Sequence, residues 1–107
     1  MHFETDLRSR AEQLVLAALL ADNGCARHLH GLTPAHFSHD THGQIFRAIT
    51  TLIALAQRAT PESVAAHLQR GRRLRSTALY PYLTALTQLP AVPANAGVYA
   101  SCLRGAR

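Results

Sequence analysis

The chain has 107 residues, 48% of them hydrophobic, and a formal net charge of +5, which bounds it to one domain with a modest core. All eleven cationic residues are Arg, and without Lys there is no Walker A phosphate loop and no Schiff-base enzyme. The two cysteines, Cys25 and Cys102, have no CxxC spacing and read as free thiols in a reducing compartment, which argues against a redox or metal pair.

Residues 1–8 form a polar lead-in without the apolar h-region of a signal peptide. No run approaches membrane-spanning length, so a cytoplasmic protein with no membrane partner is expected. The domain proper is placed at 9–107. Ser9-x-x-Glu12 has the spacing of a capping box before the apolar run RAEQLVLAALLAD, whose Ala11, Leu14, Val15, Ala18 and Leu19 share one helical face. Asn23-Gly24 tolerate positive φ and end that helix. A short helix CARHLH follows, closed by Gly31, and Thr33-Pro34 starts another turn with Phe37 pointing inward.

The longest periodic stretch is Asp40–Gln57, with Ser38 or Asp40 as its cap. Ile45, Ile49, Leu52, Ile53 and Ala56 fall on one stripe, widened by Phe46 and Leu55. A helix this apolar needs partners on several sides and is read as the central one. Thr60-Pro61-Glu62 is a strong start signal for a helix presenting Val64, Ala65 and Leu68 and closed by Gly71. After the basic loop RRLR, Ser76 or Thr77 opens a helix with Leu79, Tyr82, Leu83 and Leu86 inside and Pro81 in its first turn. Pro90 and Pro93 bracket a tight connection to a last helix carrying Val98, Tyr99, Cys102 and Leu103. No strand pattern or repeat occurs. The fold class is all-α: a small helical bundle around a central helix, with a C-terminal antiparallel helical hairpin.

In order, these pieces resemble the N-terminal domain of bacterial replicative DNA helicases of the DnaB family. RAEQLVLAALLAD matches the opening helix, and LTPAHFSHDTHGQIFRAI the segment after it, through Phe37, His42, Ile45 and Phe46. TPESVAAHLQRG matches the next helix, and YLTALTQLPAVPANAGVYASCL the closing pair, through Tyr82, Leu83, Leu86, Pro90, Asn95 and Tyr99. The likeness spans residues 9–104. Gly43 stands where the family usually has Arg, and STALYP where it usually has a Gly pair. The resemblance implies a collar domain without an active site, which self-associates through its hairpin and receives primase or a helicase loader.

The candidate sites follow. Tyr80, Tyr82, Leu83, Leu86, Tyr99, Leu103 and Arg104 make the last two helices more apolar and aromatic than one inward seam needs, which suggests a self-association or partner face. Arg70, Arg72, Arg73 and Arg75 are candidate phosphate contacts, with a solvated loop as the simpler reading. His28, His30, His36, His39 and His42 crowd one region but lack zinc spacing, so no metal is assigned. The six acids sit mostly where caps and first turns want an anion, which is thin for acid–base catalysis. The expected function is a non-catalytic oligomerisation and docking module of a replicative helicase, without cofactors. Its partners would be itself, primase or a loader, and the full-length helicase. The alternatives are a free-standing adaptor or decoy that binds a helicase or primase, and a small basic nucleic-acid-binding bundle.

Overall fold

The structure, a computed structural model, describes residues 7–29, 31–70 and 78–104. Among them are five α-helices and three short 3-10 turns, with no strand. The helices are α1 (Leu7–Ala21), α2 (Asp40–Ala54), α3 (Pro61–Arg70), α4 (Leu79–Leu86) and α5 (Ala96–Arg104). The 3-10 turns are Asn23–His28, Pro34–His36 and Pro93–Asn95. No helix of the described residues is long and apolar enough to cross a membrane.

Two helices share the centre. α2 carries the expected stripe, with Ile45, Ile49 and Leu52 all but closed to solvent between α1 and α3. Full burial of each such side chain is worth about 1.5–3 kcal/mol. α1 packs against α2, α4 and α5. Its buried residues include Ser9, Glu12 and Gln13 as well as Val15, Leu16, Ala18 and Leu19, so it is enclosed on most sides, while Leu14 is only half-buried. In the C-terminal pair, α5 lies chiefly along α1, and α4 against α3 and α1. The pair is therefore folded onto the body of the domain.

α2 is shorter than its apolar pattern. It ends at Ala54 because Ala56 takes φ +60°, and the chain reverses there. The Ala56 amide donates to the Ile53 carbonyl at 2.9 Å and the Gln57 amide to Leu52 at 2.8 Å, the two bonds of a Schellman cap. Leu55 is consequently 60% exposed and Ala56 lies outside the core, contrary to their expected place on the stripe.

Several start signals act as expected. The Thr60 hydroxyl accepts the Ser63 amide, and Ser63 Oγ accepts the Thr60 amide, capping α3. His36 Nδ1 accepts the Thr33 amide at 2.9 Å at the start of the Pro34–His36 turn. Gly31, with φ +82°, closes the loop after the first 3-10 turn. Others act differently. α1 begins at Leu7, two residues before the expected cap at Ser9, so Ser9 and Glu12 lie within the helix and form no capping box. The residue before α2 is His39, which makes no side-chain cap, and Asp40 instead accepts from Gln44 inside the helix. Asn23 does not take positive φ. Its side chain holds the loop before α3, donating to the Leu19 and Ala59 carbonyls and accepting the Ala59 amide at 2.8 Å.

Candidate functional site

The seven residues expected on a partner face separate into two groups. Leu79, Tyr82, Leu83 and Leu86 repeat at helical spacing, and α4 turns that stripe inward. Tyr82, Leu83, Leu86 and Leu103 are buried in the chain's own core, with Tyr82, Leu83 and Leu86 on the inward side where the helical pattern put them. Tyr80 remains 44% exposed, and its hydroxyl donates to Glu62 at 3.3 Å. Tyr99 is half-buried, its hydroxyl accepting the Val92 amide, and Arg104 is half-buried too. Val98, already read as an apolar residue of the last helix, and Val92 add exposed apolar surface.

Of the basic cluster, Arg70 is exposed at the end of α3, whereas Arg72, Arg73 and Arg75 lie outside the described residues. His30 also lies outside them. The described histidines form no metal-binding group with other donors. The ring of His36 is engaged with Thr33, that of His39 with Ser9 at 2.6 Å, and that of His42 through both nitrogens.

The polar residues that converge do so inside the core. Glu12 projects from α1 with no exposed surface. Its Oε2 accepts the Ser38 amide at 2.7 Å and the Ser38 hydroxyl at 2.6 Å. Its Oε1 meets His42 Nδ1 at 2.8 Å and the His39 amide at 3.4 Å. His42 Nε2 lies 2.6 Å from the Tyr82 hydroxyl, which also accepts from Gln13 Nε2 at 3.4 Å. Arg8 reaches over the edge of the cluster, its Nε 3.7 Å from Glu12 and its terminal amino group donating to the His36 carbonyl. One carboxylate thus ties α1 to the start of α2, and one histidine ties both to α4.

The electrostatics fix the protonation. Burial pushes the Glu12 carboxyl up, but the hydrogen bonds from Ser38 and His42 outweigh it and hold the group below its ordinary 4.5. Burial pushes His42 below its ordinary 6.5, only partly offset by the bond to Glu12 and its charge. An ionised Glu12 requires the proton of neutral His42 on Nδ1, so Nε2 accepts from Tyr82. The sequence did carry a signal for this arrangement. Glu12 sits on the α1 face of Val15, Leu16 and Leu19, where an acid needs a buried donor.

The profile of the DnaB-like helicase N-terminal domain family matches residues 6–105, nearly the whole chain. The chain belongs to that family. The fold is similar to the crystal structure of the N-terminal domain of DnaB helicase from Mycobacterium tuberculosis, with a TM-score of 0.80 and 35% identity. The match covers 97% of this chain and 75% of that one. Several residues that carried the resemblance lie inside: Phe37 and Phe46 pack with ring centres 5.1 Å apart, and His42 and Tyr82 stand in the polar centre, whereas Pro90 and Asn95 are exposed.

A groove of this helicase N-terminal domain runs between the Pro34–His36 turn, α2 and α3, and holds about 580 Å³. Phe37, Gly43, Arg47, His67 and Leu68 are among its walls. Gly43 lets this turn approach closely, since a Cβ there would meet the Pro34 carbonyl oxygen at 3.0 Å and push the two segments slightly apart.

Proposed function

We propose that this domain serves a DNA-replication helicase as a non-catalytic module that associates with copies of itself and receives a protein partner such as primase or a helicase loader. The observation that carries the reading is the family match over residues 6–105. The placement of the polar residues supports the non-catalytic part. Glu12, His42 and Tyr82 have acid–base chemistry, but all three are buried and satisfy one another. They brace helices and face no substrate.

The association surface is sought among the residues that stay outside, namely Tyr80, Val92 and Val98, with Tyr99 and Arg104 at the margin. Sedimentation velocity tests the reading. The weight-average mass should rise above the monomer's 11.6 kDa at tens of micromolar protein, and Val98→Asp should reduce that rise. A strict monomer at millimolar concentration overturns self-association. A titration with purified primase or loader, followed by the same method, tests the docking part separately.

A further inference from the structure

The polar centre contains one atom out of place. Gln13 is 2% exposed, and its Oε1 is a buried acceptor without a hydrogen-bond partner, although its Nε2 points at Tyr82. A buried carbonyl left unsatisfied costs about 1–3 kcal/mol. The Tyr82 hydroxyl lies between Gln13 Nε2 at 3.4 Å and His42 Nε2 at 2.6 Å. A side-chain amide turned by half a revolution exchanges its oxygen and nitrogen at nearly the same positions. Gln13 can therefore offer the tyrosine either a donor or an acceptor.

We propose that Glu12, His42, Tyr82 and Gln13 form a two-state hydrogen-bond relay that takes up one proton inside the folded domain. In the first state neutral His42 donates from Nδ1 to Glu12 and accepts the Tyr82 proton at Nε2, while Gln13 donates to the Tyr82 oxygen. In the second state a proton from solvent occupies His42 Nε2. The Tyr82 oxygen accepts it, the Tyr82 hydroxyl turns its own proton to Gln13 Oε1, and the amide has flipped. No covalent bond changes except the new N–H. The imidazolium is paired to Glu12, so the added charge is not left alone in the core. Gln13 is a positioning residue for this uptake: it stores the acceptor that the charged state needs.

The groups around His42 fit a centre that can hold the proton. From α1 come Glu12 and, behind it, Arg8 at 3.7 Å from the carboxylate. The segment leading into α2 brings His39, its ring centre 5.1 Å from that of His42. The Pro34–His36 turn supplies the carbonyl of His36, which holds Arg8, and α4 supplies Tyr82. Arg8 and a charged His39 oppose protonation of His42, Glu12 favours it, and Gln13 supplies an amide dipole that can turn together with the Tyr82 hydroxyl.

NMR titration of the His42 ring tests the relay in the intact chain. In Gln13→Met, which keeps the volume and removes the acceptor, the His42 midpoint should fall by about one unit, a tenfold loss of proton affinity. In a Tyr82→Phe background the same change should move it by far less, because the effect passes through the hydroxyl. An equal shift in both backgrounds, or none in either, overturns the proposal. Should Gln13→Met fail to fold, the wild-type chain still decides. The Gln13 side-chain amide signals should titrate with the His42 midpoint, and amide signals indifferent to it would overturn the relay as well.

Discussion

At Glu12 a single carboxylate accepts from a hydroxyl, two backbone amides and an imidazole contributed by residues 38–42. Such charge-assisted bonds are short and strong. Glu12→Gln keeps the shape and puts an NH2 group where an acceptor is needed, facing a donor. The loss expected at neutral pH is about 2–3 kcal/mol, because charge-assisted hydrogen bonds are lost and a buried donor is left without its acceptor. The pH dependence follows from the depressed carboxyl. The unfolded chain takes up the Glu12 proton near 4.5 and the folded chain only below that. The stabilisation from Glu12 is therefore complete above 4.5 and is lost as the pH falls through the lower folded value. Urea unfolding of the two proteins should show a wide gap at neutral pH that narrows on acidification below 4.5. A gap that stays constant across that range would mean the carboxylate charge is not what holds these segments.

At the scale of elements, the end of α2 shows what pattern reading resolves and what it does not. Periodicity places Ile45, Ile49 and Leu52 correctly, since a buried face must recur every 3.6 residues. The same apolar run continues through Leu55 and Ala56, and apolarity alone carries no stop signal. The stop is a backbone event at Ala56, an L-residue in the left-handed region where helices commonly place glycine. That conformation costs an alanine about 1–2 kcal/mol, of which glycine would recover roughly half after its own entropy loss. Ala56→Gly should therefore raise the urea midpoint by an amount equivalent to about 0.5–1 kcal/mol, unlike glycine placed elsewhere in a helix. A lowered midpoint would contradict the cap. The start of α3 was legible because Thr60 and Pro61 act within four residues, while its expected close at Gly71 lies outside the described residues. The joins made by Asn23 to Ala59 and by Glu12 to Ser38 were not, because they link residues 36 and 26 positions apart and depend on how helices meet. What covers α4 was left open by the pattern for a related reason. Its stripe at 79, 82, 83 and 86 was legible, but pattern does not say whether an apolar stripe meets its own chain or another one.

For the molecule as a whole, acid should act through two separable routes. One is internal. His42 is held below 6.5, so between 6.5 and its folded value the unfolded chain binds the proton that the folded chain does not. Folding stability then falls as the pH drops through that window, and Glu12 extends the fall below 4.5. The other route is collective. The chain starts at +5 with its seven histidines neutral and carries only six acids, so acidification adds positive charge to a surface already dominated by Arg. That repulsion between exposed charges spans distances comparable to the Debye length, about 10 Å in 0.1 M salt, and added sodium chloride screens it. The buried Glu12–His42 pair is not reached by salt in the same way. Urea unfolding at neutral and acid pH, with and without added sodium chloride, should therefore show only partial rescue of the acid loss by salt. Above 4.5 the unrescued remainder should disappear in His42→Gln, which cannot take up the proton in either state, and only the Glu12 share below 4.5 should persist. Complete rescue of the wild type by salt would place the whole acid sensitivity on the surface and leave the buried pair without a part in it.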